Sequence, residues 1–269
     1  MHTVTRHPAV AGRFYPKDPQ KLRSAVDLFL PQGEKVGAFG CVVPHAGYVY
    51  SGQVAGAVFA RIEVPKRCIV LCPNHTGLGQ ALAIMSRGTW ETPLGTVSVD
   101  TELAEALKER FSPLAEDAEA HQGEHAVEVE LPFLQTILPD VTFVPIALGT
   151  RRFEILQALG KAMAAVIAAQ SGPVLMVASS DMNHYENDAV TRIKDHKAID
   201  RILALDARGL FEVVAAENIS MCGFGPVVAM LTAAAQLGAR QAELVKYCTS
   251  GDVSGDQEMV VGYAGVVVS

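Results

Sequence analysis

The sequence contains no long apolar run, no basic tract and no leader-like N-terminal segment. No stretch approaches the ~18 apolar residues that a membrane-spanning helix requires, and the opening residues MHTVTRHPAVAGRFYP lack the apolar core of a signal peptide. Lysine and arginine never exceed two in a row and the net charge is −7, so nothing in the sequence suits a nucleic acid backbone. These absences predict a cytoplasmic protein with neither a membrane nor a nucleic acid as partner.

The cysteines also exclude one class of protein. The sequence has five of them, an odd number spread over 269 residues: Cys41, Cys68, Cys72, Cys222 and Cys248. This distribution favours free thiols in a reducing compartment over a disulfide framework. With 49% hydrophobic residues, the chain can bury a large core, and we expect a single domain over residues 1–269.

Short apolar runs alternate with helical patterns along the whole chain. The predicted strands are 39–43, 67–72, 81–86, 141–148, 173–179, 243–248 and 260–268. The predicted helices are 51–61, 101–111, 125–138, 152–169, 191–205 and 224–237. Continuously apolar strands are typical of a sheet that is covered on both faces. The sequence therefore predicts an α/β domain with a mostly parallel central sheet flanked by helices.

Three residues able to bind a metal follow predicted strands. His45 follows FGCVVP, His75 follows RCIVLCPN, and Cys248 closes ELVKYC. In open α/β sheets the ligand crevice lies beyond the carboxyl ends of the strands, so two imidazoles and a thiolate there could hold Fe(II), Zn(II) or copper. The alternative is that each is an ordinary turn histidine or buried thiol, which is the more frequent role for any one of them taken alone.

A second polar cluster follows the strand PVLMVA. The segment SSDMNHYEND places Asp181 and His184 where a carboxylate and an imidazole could act as a hydrogen-bonded acid and base. In the alternative interpretation Asp181 caps a turn and His184 is exposed.

The segment HQGEHAVEVELPF admits two interpretations. Glu124 and His125 lie at the predicted start of a helix, where a glutamate complements the helix dipole without any catalytic duty. His121 to His125 also spells H-x-x-E-H, an inverted zinc-peptidase pattern. Gly123 disfavours a continuous helix there, so we expect the helix to start near Glu124 and to leave His121 outside it.

Eight segments, in order, resemble one known family. They are AGRFYP, PHAGYVYSG, CPNHTG, EHAVEVELPF, SSDMNHYE, MCGFGP, YCTSGD and VGYAGVVV. Together they resemble the Memo family, the Memo-like component (protein B) of the AmmeMemoRadiSam system. The resemblance runs from about residue 6 to the end of the sequence.

The resemblance implies the fold of class III extradiol dioxygenases and a metal site of two histidines and one cysteine. The residues that match are His45, His75 and Cys248 as ligands, His184 with Asp181 as acid and base, and His125, Glu124, Tyr48 and Cys222 as pocket residues. The dioxygenases use a carboxylate where this chain would offer Cys248, and a thiolate shifts the metal preference toward softer ions. Asp252 or Asp256 could supply a carboxylate instead.

Two main functions follow. One is a non-haem, metal-dependent oxidoreductase or dioxygenase-like enzyme that acts on an unknown small molecule, with Fe(II) as first choice of metal and copper or zinc as alternatives. The other is a non-catalytic module that binds a metal or a peptide in the same cleft. A metallopeptidase would rest on the H-x-x-E-H pattern alone. The family's name also implies a functional link to a radical SAM protein.

Overall fold

A computed structural model describes residues 4–269 and shows one central sheet with helices on both faces. The strands are β1 (Thr5–Arg6), β2 (Gly40–Val43), β3 (Arg67–Pro73), β4 (Leu82–Ile84), β5 (Thr89–Thr92), β6 (Gly95–Val99), β7 (Ala115–Glu116), β8 (Thr142–Leu148), β9 (Val174–Ser179), β10 (His184–Glu186), β11 (Ala242–Thr249) and β12 (Val260–Val268). The helices are α1 (Pro19–Phe29), α2 (Tyr48–Arg61), α3 (Thr101–Arg110), α4 (Glu119–Gln122), α5 (Leu131–Ile137), α6 (Phe153–Ala168), α7 (Asp188–Leu203), α8 (Ala207–Ala216), α9 (Phe224–Leu237) and α10 (Gly251–Ser254), with a 3₁₀ turn at Glu128–Glu130.

The middle of the sheet is parallel. Its strand order is β1-β5-β6-β8-β3-β9-β2-β12-β10, and β6, β8, β3, β9 and β2 all pair in parallel. Strand β12 pairs antiparallel with β2 on one side and with β11 on the other. Because β2, β9 and β3 are parallel neighbours, their carboxyl ends lie at one edge of the sheet, and the site forms there.

Both faces of the sheet are buried, which explains the uninterrupted apolar strands. In β2, Val42 joins the core beneath α3, α6, α7, α8 and α9, whereas Cys41 and Val43 join the core beneath α1, α2 and α5. Successive side chains of a strand point to opposite faces, so every position of such a strand is apolar.

Several helices begin at a side chain that caps them. Asp18, Asp100, Asn187 and Asp206 each accept a hydrogen bond from a backbone N–H in the first turn of the following helix. By contrast, α9 begins after Gly223 with no side-chain cap and no acidic residue in its first turn.

The predicted α/β architecture is confirmed, and each predicted strand has a counterpart in the structure. The helix predicted over 125–138 was placed too early, because residues 124–127 form a loop and α5 begins only at Leu131, next to Pro132. Proline favours the first turn of a helix, so Pro132 marks this start. Helices α1 and α8 and the single-turn helices α4 and α10 were not predicted. Among residues 4–269, no helix is both long and apolar enough to cross a membrane.

Candidate metal centre

Two of the predicted ligands lie at the same edge of the sheet. His45 follows β2 and His75 follows β3, and strand β9 lies between these two strands. The end of β9 supplies Ser179 and, just beyond it, Asp181. The strand-end argument from sequence therefore identified two residues that the sheet brings together.

A third histidine completes the group. One possible ligand atom from each of His45, His75 and His125 lies within 4.8 Å of the other two. The ring centroids are 5.1 Å apart for His45 and His75, 5.3 Å for His45 and His125, and 4.8 Å for His75 and His125. Three imidazoles at this spacing can converge on one metal ion.

Burial keeps two of these rings neutral. Burial, and then the neighbouring histidines, hold the pKa of His45 well below its ordinary value. Burial also lowers the pKa of His125 to about 4. A metal binds the neutral imidazole, so the site favours the form that coordinates.

The Nδ1 atoms of His45 and His75 already have partners. His45 Nδ1 lies 2.8 Å from Ser179 Oγ, and His75 Nδ1 lies 2.9 Å from Glu124 Oε1. Glu124 Oε2 also accepts the His75 backbone N–H at 2.6 Å. Hydrogen bonds at Nδ1 leave Nε2 as the coordinating atom and fix the plane of each ring, as in many metal sites.

Glu124 is charged although it is fully buried. Burial alone would raise the pKa of this carboxyl, but hydrogen bonds and charge interaction from His75, with the backbone N–H of Ala126, hold it below its ordinary value. Its Oε1 also lies 3.4 Å from His125 Nδ1. Glu124 therefore contacts two of the three histidines, and its assignment from sequence as a pocket residue understates its role.

The thiol beside the histidines is that of Cys222. Its Sγ lies 3.2 Å from His45 Nε2, and the backbone N–H of Asp181 donates to the same sulfur at 3.3 Å. Cys222 lies in the loop before α9. Burial raises the pKa of this thiol. The sequence analysis placed Cys222 in the pocket but not among the ligands.

Cys248 does not belong to the histidine group. It lies on β11 opposite Tyr263, packs with Val54 and contacts Gln53 Nε2 at 3.8 Å. Strand β12 separates β11 from β2, and each step across a sheet is ~4.8 Å. Of the predicted trio, His45 and His75 thus lie together, joined by His125, and the cysteine next to them is Cys222, which contacts His45. Of the alternative carboxylates, Asp252 instead pairs with Arg192, 2.8 Å away.

His184 and Asp181 are both at the site but do not pair with each other. His184 Nδ1 lies 3.1 Å from the Ser220 carbonyl, and Asp181 Oδ1 accepts the His45 backbone N–H at 2.8 Å. The prediction that Asp181 orients His184 is therefore wrong, because Asp181, just beyond the end of β9, bonds to the backbone that follows the neighbouring strand β2. Burial raises the pKa of Asp181 to about 7 and lowers that of His184.

Tyr48 lies behind the histidines. Its hydroxyl donates to the Val129 carbonyl at 2.6 Å, and its ring lines a cavity of about 650 Å³ together with Phe14 and Tyr15. Phe14 in turn contacts His125, with 4.7 Å between ring centroids. Tyr48 therefore supports the loop that carries His125 and borders an aromatic cavity next to it.

The H-x-x-E-H pattern does not form a zinc-peptidase site. His121 lies in the short helix α4 and is fully buried against Trp90. Neither of its ring nitrogens has a hydrogen-bond partner in the described part of the chain. Gly123 ends that helix, so His121 and His125 are not one turn apart on a common helix. Burial lowers the pKa of His121 to about 4.

Comparison with known proteins identifies the family. The family model described as Memo-like protein matches residues 6–267. A MEMO1 family protein of Methanopyrus kandleri is 42% identical, and the match covers 98% of this chain and 99% of the relative. A MEMO1 family protein of Pyrobaculum arsenaticum is 43% identical, and the match covers 97% of this chain and 98% of the relative. An uncharacterized protein of Escherichia coli K12, 13% identical, shares the fold with a TM-score of 0.55 over 85% of this chain and 98% of that one. The chain therefore belongs to the Memo family.

Proposed function

We propose that this protein is a metal-dependent oxidoreductase of the dioxygenase-like type that acts on a small molecule at the edge formed by β2, β9 and β3. The observation that carries the proposal is the convergence of three imidazoles within 4.8 Å, with the Cys222 thiol 3.2 Å from one of them. Imidazole nitrogens with a thiolate form a borderline-soft donor set, which suits Fe(II), copper or zinc and not Mg²⁺ or Ca²⁺. Of these, we propose Fe(II).

The donors fit such an ion unequally. His45 and His75 each have Nδ1 bonded to a fixed acceptor, at 2.8 and 2.9 Å, so their Nε2 atoms are oriented in advance. The longer contact of His125 with Glu124, 3.4 Å, holds its ring less firmly. In this proposal His45, His75 and Cys222 hold the metal, and His125 is the weaker third imidazole. The bound ion would supply Lewis-acid and one-electron chemistry.

His184 is the proposed proton carrier. The Ser220 carbonyl 3.1 Å from Nδ1 favours the tautomer in which Nε2 is basic. Burial holds the His184 pKa below its ordinary value, so the ring is neutral at physiological pH and can accept a proton. Asp181, with a pKa near 7, fixes the backbone at His45 and is the second group able to exchange a proton.

The decisive experiment compares two cysteine variants. Protein purified without oxygen is assayed for iron, copper and zinc as the wild type, as Cys222→Ser and as Cys248→Ser. Only the Cys222 variant should lose most of its metal, because the Cys222 sulfur contacts a ring nitrogen of His45 whereas the Cys248 sulfur contacts Gln53. Thermal unfolding of both variants controls for damage to the core. Metal loss confined to Cys248→Ser would restore the ligand set expected from sequence and overturn this one.

Catalysis is tested separately from metal binding. Dioxygen uptake is measured for the metal-loaded protein with a panel of catechols and other small aromatic diols, and again for His184→Gln. The variant should keep its metal and lose turnover by a factor on the order of 10² or more, because glutamine cannot carry a proton. Full metal occupancy without any dioxygen uptake would favour the alternative of a non-catalytic binding module.

A further inference from the structure

A small cavity opens beside His75 and Cys222, and none of the described residues that line it is acidic. It has a volume of about 210 Å³, and the carboxyl ends of β3 and β8, the loop after β8 and the start of α9 form its walls. The absence of aspartate and glutamate is notable in a protein with net charge −7. The electrostatic character of this cavity therefore differs from that of the molecule as a whole.

Arg151 supplies the cavity with a positive charge. Its guanidinium lies 5.0 Å from the centroid of the Phe224 ring, and both residues line the cavity. Stacking on an aromatic ring holds the planar guanidinium in place and leaves its N–H donors free. Within residues 4–269, no carboxylate lies within 4.0 Å of Arg151, so its charge is not neutralised by the protein.

The start of α9 adds to this positive character. Phe224 and Gly225 line the cavity in the first turn of the helix, and their two backbone N–H groups have no acceptor within the helix; the next residue, Pro226, has no N–H. The helix has neither a side-chain cap nor an acidic residue at this end, so the positive end of its dipole is uncompensated. Cys222, two residues before the helix, connects this surface directly to the histidine group.

We propose that the substrate carries an oxyanion group, a carboxylate or a phosphate, which Arg151 binds in this cavity beside the metal centre. The proposal rests on the metal-dependent function proposed above and names the class of its substrate. Arg151 would donate two parallel N–H hydrogen bonds to the oxyanion, and the α9 terminus would add to the attraction. The remainder of the substrate would then lie against His75 and Cys222, where the chemistry is placed.

The test measures the binding of two simple anions, inorganic phosphate and benzoate, by calorimetry. Full-length protein is used as purified and again after a chelator has removed metal, which separates binding at Arg151 from binding to a metal ion. Arg151→Gln is compared with Arg152→Gln, because both arginines are exposed and only Arg151 lines the cavity. The anion that the wild type binds more tightly identifies the oxyanion.

Arg151→Gln should raise the dissociation constant about tenfold or more, as expected when the charge-assisted hydrogen bonds to the anion are lost, while Arg152→Gln should leave it unchanged. Equal effects of the two substitutions, or no binding of either anion by the wild type, would overturn the proposal. Metal content of the same samples separates the two proposals. Full metal content without anion binding overturns only the anion site, whereas Arg151-dependent binding in a protein that takes up no metal overturns only the metal-dependent function.

Discussion

Two segments contact His45, residues 121–130 and residues 179–186, and they are held mainly by different forces. The segment 121–130 is held by charge: Arg6 forms a buried ion pair with Glu128 and donates to the backbone carbonyls of His121 and Glu124. Tyr15 donates its hydroxyl to the same Glu128 carboxylate at 2.5 Å. The ligand-bearing loop is thus tied to the beginning of the described chain through charged groups that water does not reach.

The segment 179–186 ends in the ion pair of Glu186 with Lys194, but its other contacts are made by neutral groups and by carboxyls whose pKa is raised. Asp195 accepts the Asn183 backbone N–H at 2.8 Å and the Tyr247 hydroxyl at 2.7 Å. Burial raises the pKa of Asp195 to about 7, as it does for Asp181. By contrast, the pKa of Glu124, in the segment 121–130, is held below its ordinary value.

The contrast separates two tasks. The segment 121–130, with its fixed charges, can orient the histidines that bind a metal, because the groups bonded to these histidines do not change protonation near neutral pH. The segment 179–186, with carboxyls that titrate near neutral pH, can exchange protons. Four substitutions test this division.

Removing the charge of Arg6 should have the largest effect on stability. Arg6→Met leaves Glu128 buried and unpaired, so the free energy of unfolding should fall by about 3–5 kcal/mol. Chemical denaturation measures it, with Arg87→Met as the control, since the Arg87–Glu105 pair is exposed and its loss is expected to change the stability little. Similar small losses in both variants would show that charge does not hold the segment 121–130.

Glu124→Gln tests the charged orientation of His75. The glutamine cannot accept from both the ring and the backbone of His75, so metal affinity should fall by about 10- to 100-fold while the fold persists. Competition with a chelator of known affinity measures the change, and circular dichroism checks the fold. Unchanged affinity would mean that His75 is not a ligand or needs no partner.

Asp195→Asn tests the segment 179–186 through the pH dependence of the free energy of unfolding. The folded protein holds a proton on Asp195 up to about pH 7, whereas the unfolded chain releases it near 3.8. This group's contribution to stability is therefore present below pH 4 and is lost as the pH rises through about 7.

Relative to the wild type, Asp195→Asn should thus gain stability between pH 5 and pH 8, on the order of 1 to 2 kcal/mol. Denaturation at each pH measures the difference, and the exposed Asp200 on the same helix, changed to Asn, is the control. A difference between variant and wild type that is independent of pH would mean that Asp195 stays ionised.

Ser179→Ala should have the smallest effect. It removes the partner of His45 Nδ1, but this partner is neutral, so metal affinity should fall by tenfold at most and by less than in Glu124→Gln. The same chelator competition measures it. A larger loss of metal affinity than in Glu124→Gln would reverse the proposed roles of the segments 121–130 and 179–186.

The sequence predicted those parts of the site that depend on local signals. His45 and His75 follow apolar strands, and the strand-end argument requires only the alternation of strands and helices. Cys248 met the same criterion and lies at the same edge, but β12 intervenes between its strand and β2. Strand order is a long-range property that one sequence does not display.

Other features of the site depend on contacts between distant segments. Cys222 lies in a loop before a helix and carries no strand-end signal, and only the packing of α9 brings it to His45. Asp181 and His184 are close in sequence, which favoured a pair, yet Asp181 bonds to His45 and His184 to Ser220. The charged support from Arg6 joins residues more than a hundred positions apart and has no local pattern.

Strand β12 makes the site late to form. Val42 of β2, the strand that leads to His45, pairs with Val266 on one side and with Ala178 on the other, both far along the chain. Contacts of such large sequence separation slow folding, because the intervening loop must close before they stabilise anything. During synthesis β2 therefore completes its pairing only after almost the entire polypeptide has been made, so the edge of the sheet that presents His45 is assembled last.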